Sequence, residues 1–454
     1  MQSVQMNKLT EEAGLNGFHF ALLAWCFGIL VIDGYDMAII GAALPSIMQG
    51  MGIGATASGF MASSGLAGMM LGSILCGTLA DRIGRRRALG ICVLLFSTFT
   101  AAAGFSHDPL TFSALRFVAG IGIGGVVPSV VPLVSEYAPK KMRNLMVTLV
   151  IAGYPVGGIL AALIGKHFLE AYGWKSLFIA ASAPIVLIPL ILRYLPESLS
   201  FVLRRDGNES ALGILRKIRP DLKLDQGCEL LLPAVDRAQG GSVARLFGEG
   251  RAFSTLMFWV AGITGLFMVY ALSSWLVKLM GMAGYDLSTS LDYMMALHTG
   301  ALIGSIGGGW IADRLGGIKW VVCGLYIIAA ASLMLLGNGW QPLLVVVTIV
   351  GASTQGTQTL MLSYAAQFYP ASIRSTGLGF YSGVGRLGAF MAPIVIGTLI
   401  TLNLPIVQNF MAIAGVAIIG AVAIALISER TPAQKRAINT VFDGVEPEVR
   451  KLTR

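Results

Sequence analysis

Two carboxylates one helical turn apart stand inside the first long apolar run of the chain, as Asp33-Gly34-Tyr35-Asp36 within residues 20–48. A run of that length spans a bilayer core with some tilt. An ionised acid at its centre costs roughly 2.5–3.5 kcal/mol on insertion scales. Both acids are therefore expected to face a water-filled cavity or a cation, not lipid. The i, i+3 spacing turns them the same way, and Gly34 leaves room for a close neighbour. Side chains so placed can bind and release protons or gate a substrate. The alternative is a structural ion pair inside a helix bundle.

Two arginines also interrupt apolar runs. Arg116 opens Arg116-x-x-x-Gly120-x-Gly122-x-Gly124, a few residues into its run, where its long side chain could reach the level of Asp36. Movement of that cation towards or away from Asp33 or Asp36 would release or take up a proton; the alternative is an arginine snorkelling outward. Arg386, in Gly383-Val384-Gly385-Arg386-Leu387-Gly388, lies about ten residues into its run, near mid-membrane. A fixed cation with planar donors suits a substrate carboxylate, a structural salt bridge being the other reading. Gln355 and Gln358, Tyr270 and Trp275, Tyr364, and His298 are candidate cavity lining, with Tyr35 added from the acidic motif. Buried amides need partners, and a ligand hydroxyl is one; an aromatic ring would pack on Tyr270 or Trp275. His298 can equally be a satisfied bundle histidine, and Trp275 an interfacial anchor.

The elements that must position these residues are membrane spans. Of 454 residues, 55% are hydrophobic and 12% charged, about half the charge of a soluble domain, and the mean hydropathy is +0.76. The 57 glycines suit close helix–helix contact in lipid. Five scattered cysteines, among them Cys228, form no metal or disulfide pattern. Apolar runs at 20–48, 58–79, 88–105, 111–134, 145–168 and 176–195 precede a polar stretch, 196–250. Runs at 253–279, 288–312, 318–336, 343–367, 376–402 and 406–427 follow it. The expected architecture is all-α and integral to the membrane, twelve transmembrane helices in two pseudo-symmetric six-helix bundles. Its parts are a segment 1–19, bundles 20–195 and 251–428, the middle loop 196–250 and a tail 429–454. The net charge of +9 sits in alternate loops, in the middle loop and in the tail (Arg430, Lys435, Arg436). That is a topology signal rather than a nucleic-acid one, and it places both termini in the cytosol. The first run is too long for a signal h-region and is read as retained.

One loop motif recurs. Gly77-x-x-x-Asp81-Arg82-x-Gly84-Arg85-Arg86-Arg87 closes the second run, and Gly309-x-x-x-Asp313-Arg314-x-Gly316 closes the eighth; Arg143 and Arg374 follow the fourth and tenth at matching places. Parallel repeats of six spans suit a transporter that rocks around a central site. Gly77 and Gly84 permit close packing and a tight turn, and Asp81 could cap a neighbouring helix. With Arg82, Arg85, Glu136, Arg143, Asp313, Arg314 and Arg374 they are read as an inner gate. A plain topogenic basic loop is the alternative.

These residues carry a family resemblance over essentially the whole chain. The Asp81 loop resembles in full the signature of the major facilitator superfamily; the second copy departs after Gly316, with Gly317-Ile318-Lys319 in place of a basic run. Asp33-Gly34-Tyr35-Asp36, with Ser135-Glu136-Tyr137 and Pro196-Glu197-Ser198, is similar to the aromatic acid:proton symporter branch. The resemblance implies import of benzoate, hydroxybenzoates or protocatechuate across a bacterial-type inner membrane by a monomer, with protons as the coupling ion and no other cofactor. It also implies a part in proton transfer for Arg116 and an arginine at the place of Arg386. Other organic anions, such as muconate or shikimate-like acids, a drug/proton exporter and, more remotely, a membrane sensor remain open. No metal cluster, nucleophile–base motif or phosphate loop argues for an enzyme.

Overall fold

The computed structural model describes residues 3–219, 229–231, 243–315, 317–370 and 373–428. The tail 429–454, Cys228, Gly316, much of the middle loop and the side chain of Asp313 lie outside the described residues. Twelve long helical spans make up most of the described residues. They are α1 (Gly17–Met51), α2 (Ala55–Ile83), α3 (Arg85–Ala103), α4 (Pro109–Tyr137), α5 (Arg143–Tyr172) and α6 (Lys175–Tyr194), then α7 (Ala252–Met282), α8 (Leu287–Leu315), α9 (Ile318–Gly337), α10 (Leu343–Phe368), α11 (Arg374–Thr401) and α12 (Ile406–Leu426). Eleven are long and apolar enough to cross a membrane. The other, α8, is 29 residues long and packs between α10 and α5. Outer faces carry exposed apolar side chains such as Ile74, Val186, Ile327 and Val422, which only lipid solvates well.

Local chemistry sets the ends and the breaks. The Asn16 carboxamide oxygen accepts from the Phe18 and His19 amides and starts α1; Asp108 accepts from the Thr111 amide and starts α4. Span α5 breaks at Ala152, because Pro155 has no amide hydrogen for the carbonyl of Ile151. Span α6 passes through a 3-10 turn, Ala183–Leu187, between two α segments, where Pro184 and Pro189 remove two more donors.

The two halves repeat one packing scheme. α1 crosses α5 and α2 crosses α4, as α7 crosses α11 and α8 crosses α10. Each crossing is made on glycines: a methyl group at Gly68, Gly120 or Gly124 would strike backbone across α2–α4, and one at Gly300, Gly304 or Gly351 would do so across α8–α10. The halves meet through α2–α11, α5–α8 and α1–α7. Apart from one mid-membrane bond, Arg386 to the Met69 carbonyl, their described polar contacts lie in the half of the bundle away from the basic loops. Thr56 and Thr401 hydroxyls are 2.8 Å apart, Ser63 donates to the Phe390 carbonyl at 2.7 Å, and the Lys166 ammonium donates to both Asp292 oxygens at 2.7 and 2.8 Å. A shared apolar cluster with Ile39, Ala161, Val277, Leu291 and Met294 seals that far end. At the basic end, no described hydrogen bond or ion pair joins the halves.

The middle segment belongs with the first half. Its helix Asn208–Ile218 buries Ala211, Leu212, Leu215 and Ile218 in that half's core, and the Asn16 amide donates to the Ile218 carbonyl at 2.8 Å. A shorter helix, Leu199–Arg205, precedes it, and Ser3–Gln5 pairs in parallel with Glu229–Leu231.

Candidate functional site

Asp33 is fully buried in α1 and accepts a short hydrogen bond from the Tyr154 hydroxyl of α5. Its other oxygen, Oδ1, has no partner. The crossing explains the contact. A methyl group on Gly34 would collide with the Tyr154 backbone, and one on Gly157 with the Val31 carbonyl; without side chains there, the two backbones approach until a tyrosine on one reaches an acid on the other. Arg386 and Tyr270 are within electrostatic reach of Asp33.

Asp36 takes a different partner. The Arg116 Nη1 of α4 donates to Asp36 Oδ2 at 2.9 Å and to the Thr100 hydroxyl at 2.7 Å, and Nη2 donates to the Asp36 carbonyl at 3.2 Å. Both side chains are nearly inaccessible, at 4% and 2%, so Arg116 does not snorkel. The sequence led us to expect Asp33 and Asp36 to act as one pair facing the same way. Instead, three residues advance a helix to leave about 60° between the side chains, enough to aim one acid at α5 and the other at α4.

A cavity of about 320 Å³ opens beside Asp33 between the halves, at the low end of the ~300–1,000 Å³ of small-molecule sites. Arg386, Gln355, Gln358, Tyr270 and His298 line it, together with Tyr154, Tyr381 and Ser273. Its other walls are mainly apolar, including Met37, Leu266 and Leu297, with Thr354 and Ser382 among them. Arg386 donates one hydrogen bond, from Nη1 to the Met69 carbonyl of the other half at 2.9 Å, and has no carboxylate within ion-pair distance among the described residues. Three buried polar atoms on the wall lack partners: His298 Nε2, Gln358 Nε2 and the Tyr381 hydroxyl. The His298 ring packs on Gly158 of the other half.

Three aromatic residues proposed from the sequence stand off this cavity. Trp275 is fully buried and its indole donates to the Pro393 carbonyl at 3.0 Å. The Tyr35 hydroxyl donates to the Leu177 carbonyl at 2.9 Å. Tyr364 packs on Phe258, ring centroids 5.0 Å apart. Trp275 and Tyr35 have found a backbone partner for their polar end, which fixes them inside the bundle.

Comparison with known proteins decides the family. The profile of the Major Facilitator Superfamily matches residues 26–393 and 299–451. The chain belongs to the major facilitator superfamily. It is therefore a membrane transporter and not an enzyme, a multi-pass protein of the inner membrane. It is 39% identical to the benzoate transport protein of Acinetobacter baylyi, over 97% of this chain and 96% of the relative. It is 32% identical to the gentisate transporter of Corynebacterium glutamicum (93% and 90% covered) and 32% identical to the 4-hydroxybenzoate transporter PcaK of Acinetobacter baylyi (85% and 86%). These relatives match the aromatic-acid branch indicated by the Asp33–Asp36 motif. Among solved structures, a D-xylose–proton symporter superposes with a TM-score of 0.71 at 16% identity, covering 92% of this chain and 99% of that one. A bacterial homologue of the lysosomal transporter Spinster gives 0.68 at 16%, covering 92% and 98%. At such identities the likeness carries the fold alone.

The superfamily's signature loop sits at the basic end. Gly84 has φ of 95°, a left-handed value that glycine adopts without strain, and the Glu197 carboxyl occupies the space a side chain there would take. Glu197 accepts from the Arg86 and Ser198 amides, and Arg85 pairs with Glu136 at 3.2 Å while Ser198 and Ser200 also donate to Glu136. A methyl group at Gly77 would make only ordinary contact with Pro128, and Asp81 and Arg82 are exposed. Arg143 pairs with Glu11 at 3.0 Å, Arg314 stacks on Trp310 at 4.1 Å, and Arg374 donates to the Tyr369 carbonyl. Each of these contacts stays within its own half of the molecule. Sequence reasoning missed Tyr154, Tyr381, Ser273 and Glu197 as site or gate contributors. The one signal for Tyr154 was its place in Gly153-Tyr154-Pro155-x-Gly157, a glycine-flanked aromatic beside a helix break.

Proposed function

We propose that this transporter imports an aromatic carboxylate, such as benzoate or a hydroxybenzoate, together with a proton, by alternating access. The observation that carries the reading is Arg386. It is a mid-membrane cation with no carboxylate partner among the described residues, on a mainly apolar cavity whose wall holds unpaired polar atoms. Its guanidinium suits a carboxylate; Tyr270, Leu266 and Leu297 suit an aromatic ring; Gln358, His298 and Tyr381 offer hydrogen bonds to ring hydroxyls. The names of the relatives support the same substrate class.

Charge balance supplies the coupling. A benzoate-like acid is an anion at neutral pH, and an inside-negative potential opposes its entry by ~2.3 kcal/mol per 100 mV. When the substrate's carboxylate engages Arg386, that cation no longer balances Asp33. A proton on Asp33, held beside Tyr154, restores neutrality, and the loaded site crosses without net charge. Asp36 and Arg116 remain a closed pair that holds α1 on α4.

By the positive-inside rule the basic end is cytosolic, as are both termini, so the state described here faces inward with its outer end shut. Arg85, Glu136, Arg143, Arg314 and Arg374 make their described contacts within their own halves, and these gate residues are then free to meet across the halves when the outer end opens. The transporting unit is one chain. Competition for labelled benzoate uptake by hydroxy- and methoxybenzoates and by non-aromatic acids tests the substrate class. Inhibition by aromatic carboxylates is the expected result; inhibition only by sugars or cations overturns it.

A further inference from the structure

A second cavity, of about 480 Å³, lies at the basic end, away from the substrate path, where α1, α3 and α6 meet the middle segment. Five cations line it: Arg86 and Arg87 from the start of α3, Arg193 from the end of α6, and Arg205 and Lys217 from the middle helices. Its two carboxylates are already engaged. Glu197 accepts from two backbone amides, and Asp206 stands 3.7 Å from Arg205. None of Arg86, Arg87, Arg193 and Lys217 has a carboxylate partner among the described residues, and Arg86 Nε is buried with no hydrogen bond. An excess of positive charge converging on one hollow calls for an anion with several acceptor oxygens.

The mouth of the hollow favours a lipid over a soluble anion. Trp25 of α1 and Tyr194 of α6 stack there, ring centroids 6.3 Å apart and 8° from parallel, and Arg193 lies over the Tyr194 ring at 5.7 Å. Tyr194 is 58% exposed, and Leu190, one turn further into the same helix, is 41% exposed. Tyr194 ends its helix, where an exposed aromatic ring marks the membrane interface, and Leu190 and Val186, exposed further into the span, can lie along acyl chains. We propose that this hollow binds the phosphate headgroup of an anionic membrane phospholipid. The bound phosphate ties the start of α3 and the end of α6 to the middle segment, next to the signature loop.

Native mass spectrometry of the full-length protein with phosphatidylglycerol, phosphatidylcholine or inorganic phosphate tests the site. Phosphatidylglycerol is expected to be retained and phosphatidylcholine not. Arg193→Gln with Lys217→Gln is expected to weaken retention roughly 30-fold, at about fivefold per cation near the membrane surface. Arg216→Gln, exposed on the same middle helix but outside the hollow, leaves retention unchanged. The charge-preserving pair Arg193→Lys with Lys217→Arg also retains the lipid, which separates loss of the site from loss of the fold. Equal retention of phosphatidylcholine, an equal loss in Arg216→Gln, or loss in the charge-preserving pair overturns the proposal. Inorganic phosphate binding as tightly as the lipid overturns the lipid assignment.

Discussion

Asp33 and Asp36 lie one turn apart and differ in every contact. Asp36 is paired with Arg116, whose Nη1 also donates to the Thr100 hydroxyl, so removing the acid's charge strands a buried guanidinium, at a cost of about 3–5 kcal/mol. Asp36→Asn is therefore expected to lower thermal stability sharply, and Asp36→Asn with Arg116→Gln to recover part of it; a melting series in detergent reads both. Arg386→Gln removes a charged hydrogen-bonding partner valued at about 1.5–3 kcal/mol, so KM for benzoate is expected to rise roughly 10- to 150-fold while the protein stays folded. Unaltered KM would place the carboxylate elsewhere. These charged residues were legible in the sequence because a charge in an apolar run is costly unless it has a purpose. Tyr154 and Tyr381 carry no such anomaly; only a helix crossing shows which hydroxyl meets which acid. Trp275 and Tyr35 misled for the converse reason. An aromatic residue with a polar end suits a ligand wall and a buried backbone carbonyl equally well, and only packing chooses.

At the scale of the helices, glycines decide how close the spans come. Gly34 faces the Tyr154 backbone, whereas Gly28, six residues earlier on α1, faces open space. Gly34→Ala is expected to overpack the α1–α5 crossing by about 1–3 kcal/mol and to draw Tyr154 off Asp33. Gly28→Ala should be neutral or gain about 0.5–1 kcal/mol in helix preference. Thermal unfolding of the two variants side by side checks this, and equal effects would remove the crossing from the account. The apolar runs announced the spans because hydropathy is all that crossing lipid demands. Their length was understated: α1 runs from Gly17 to Met51, since polar and glycine residues at the ends continue the helix beyond the hydrocarbon. The breaks in α5 and α6 follow from Pro155, Pro184 and Pro189, and were readable from those prolines alone.

For the whole molecule, the repeated loop motif showed two halves, but which end they close is a property of a state and not of a sequence. Here the far end is shut through Thr56–Thr401, Ser63–Phe390 and Lys166–Asp292. Cysteines at Thr56 and Thr401 are expected to cross-link under oxidant, stop uptake, and release it on reduction; uptake unchanged by the cross-link would mean that this end does not open during transport. The central claim, that Asp33 carries the proton that accompanies the substrate, is tested most directly in liposomes holding the purified protein, with labelled benzoate outside and an imposed pH gradient, acid outside. The wild type is expected to concentrate benzoate, with each pH unit contributing about 1.4 kcal/mol, while Asp33→Asn exchanges benzoate across the membrane without concentrating it. Accumulation by Asp33→Asn equal to that of the wild type would contradict the account.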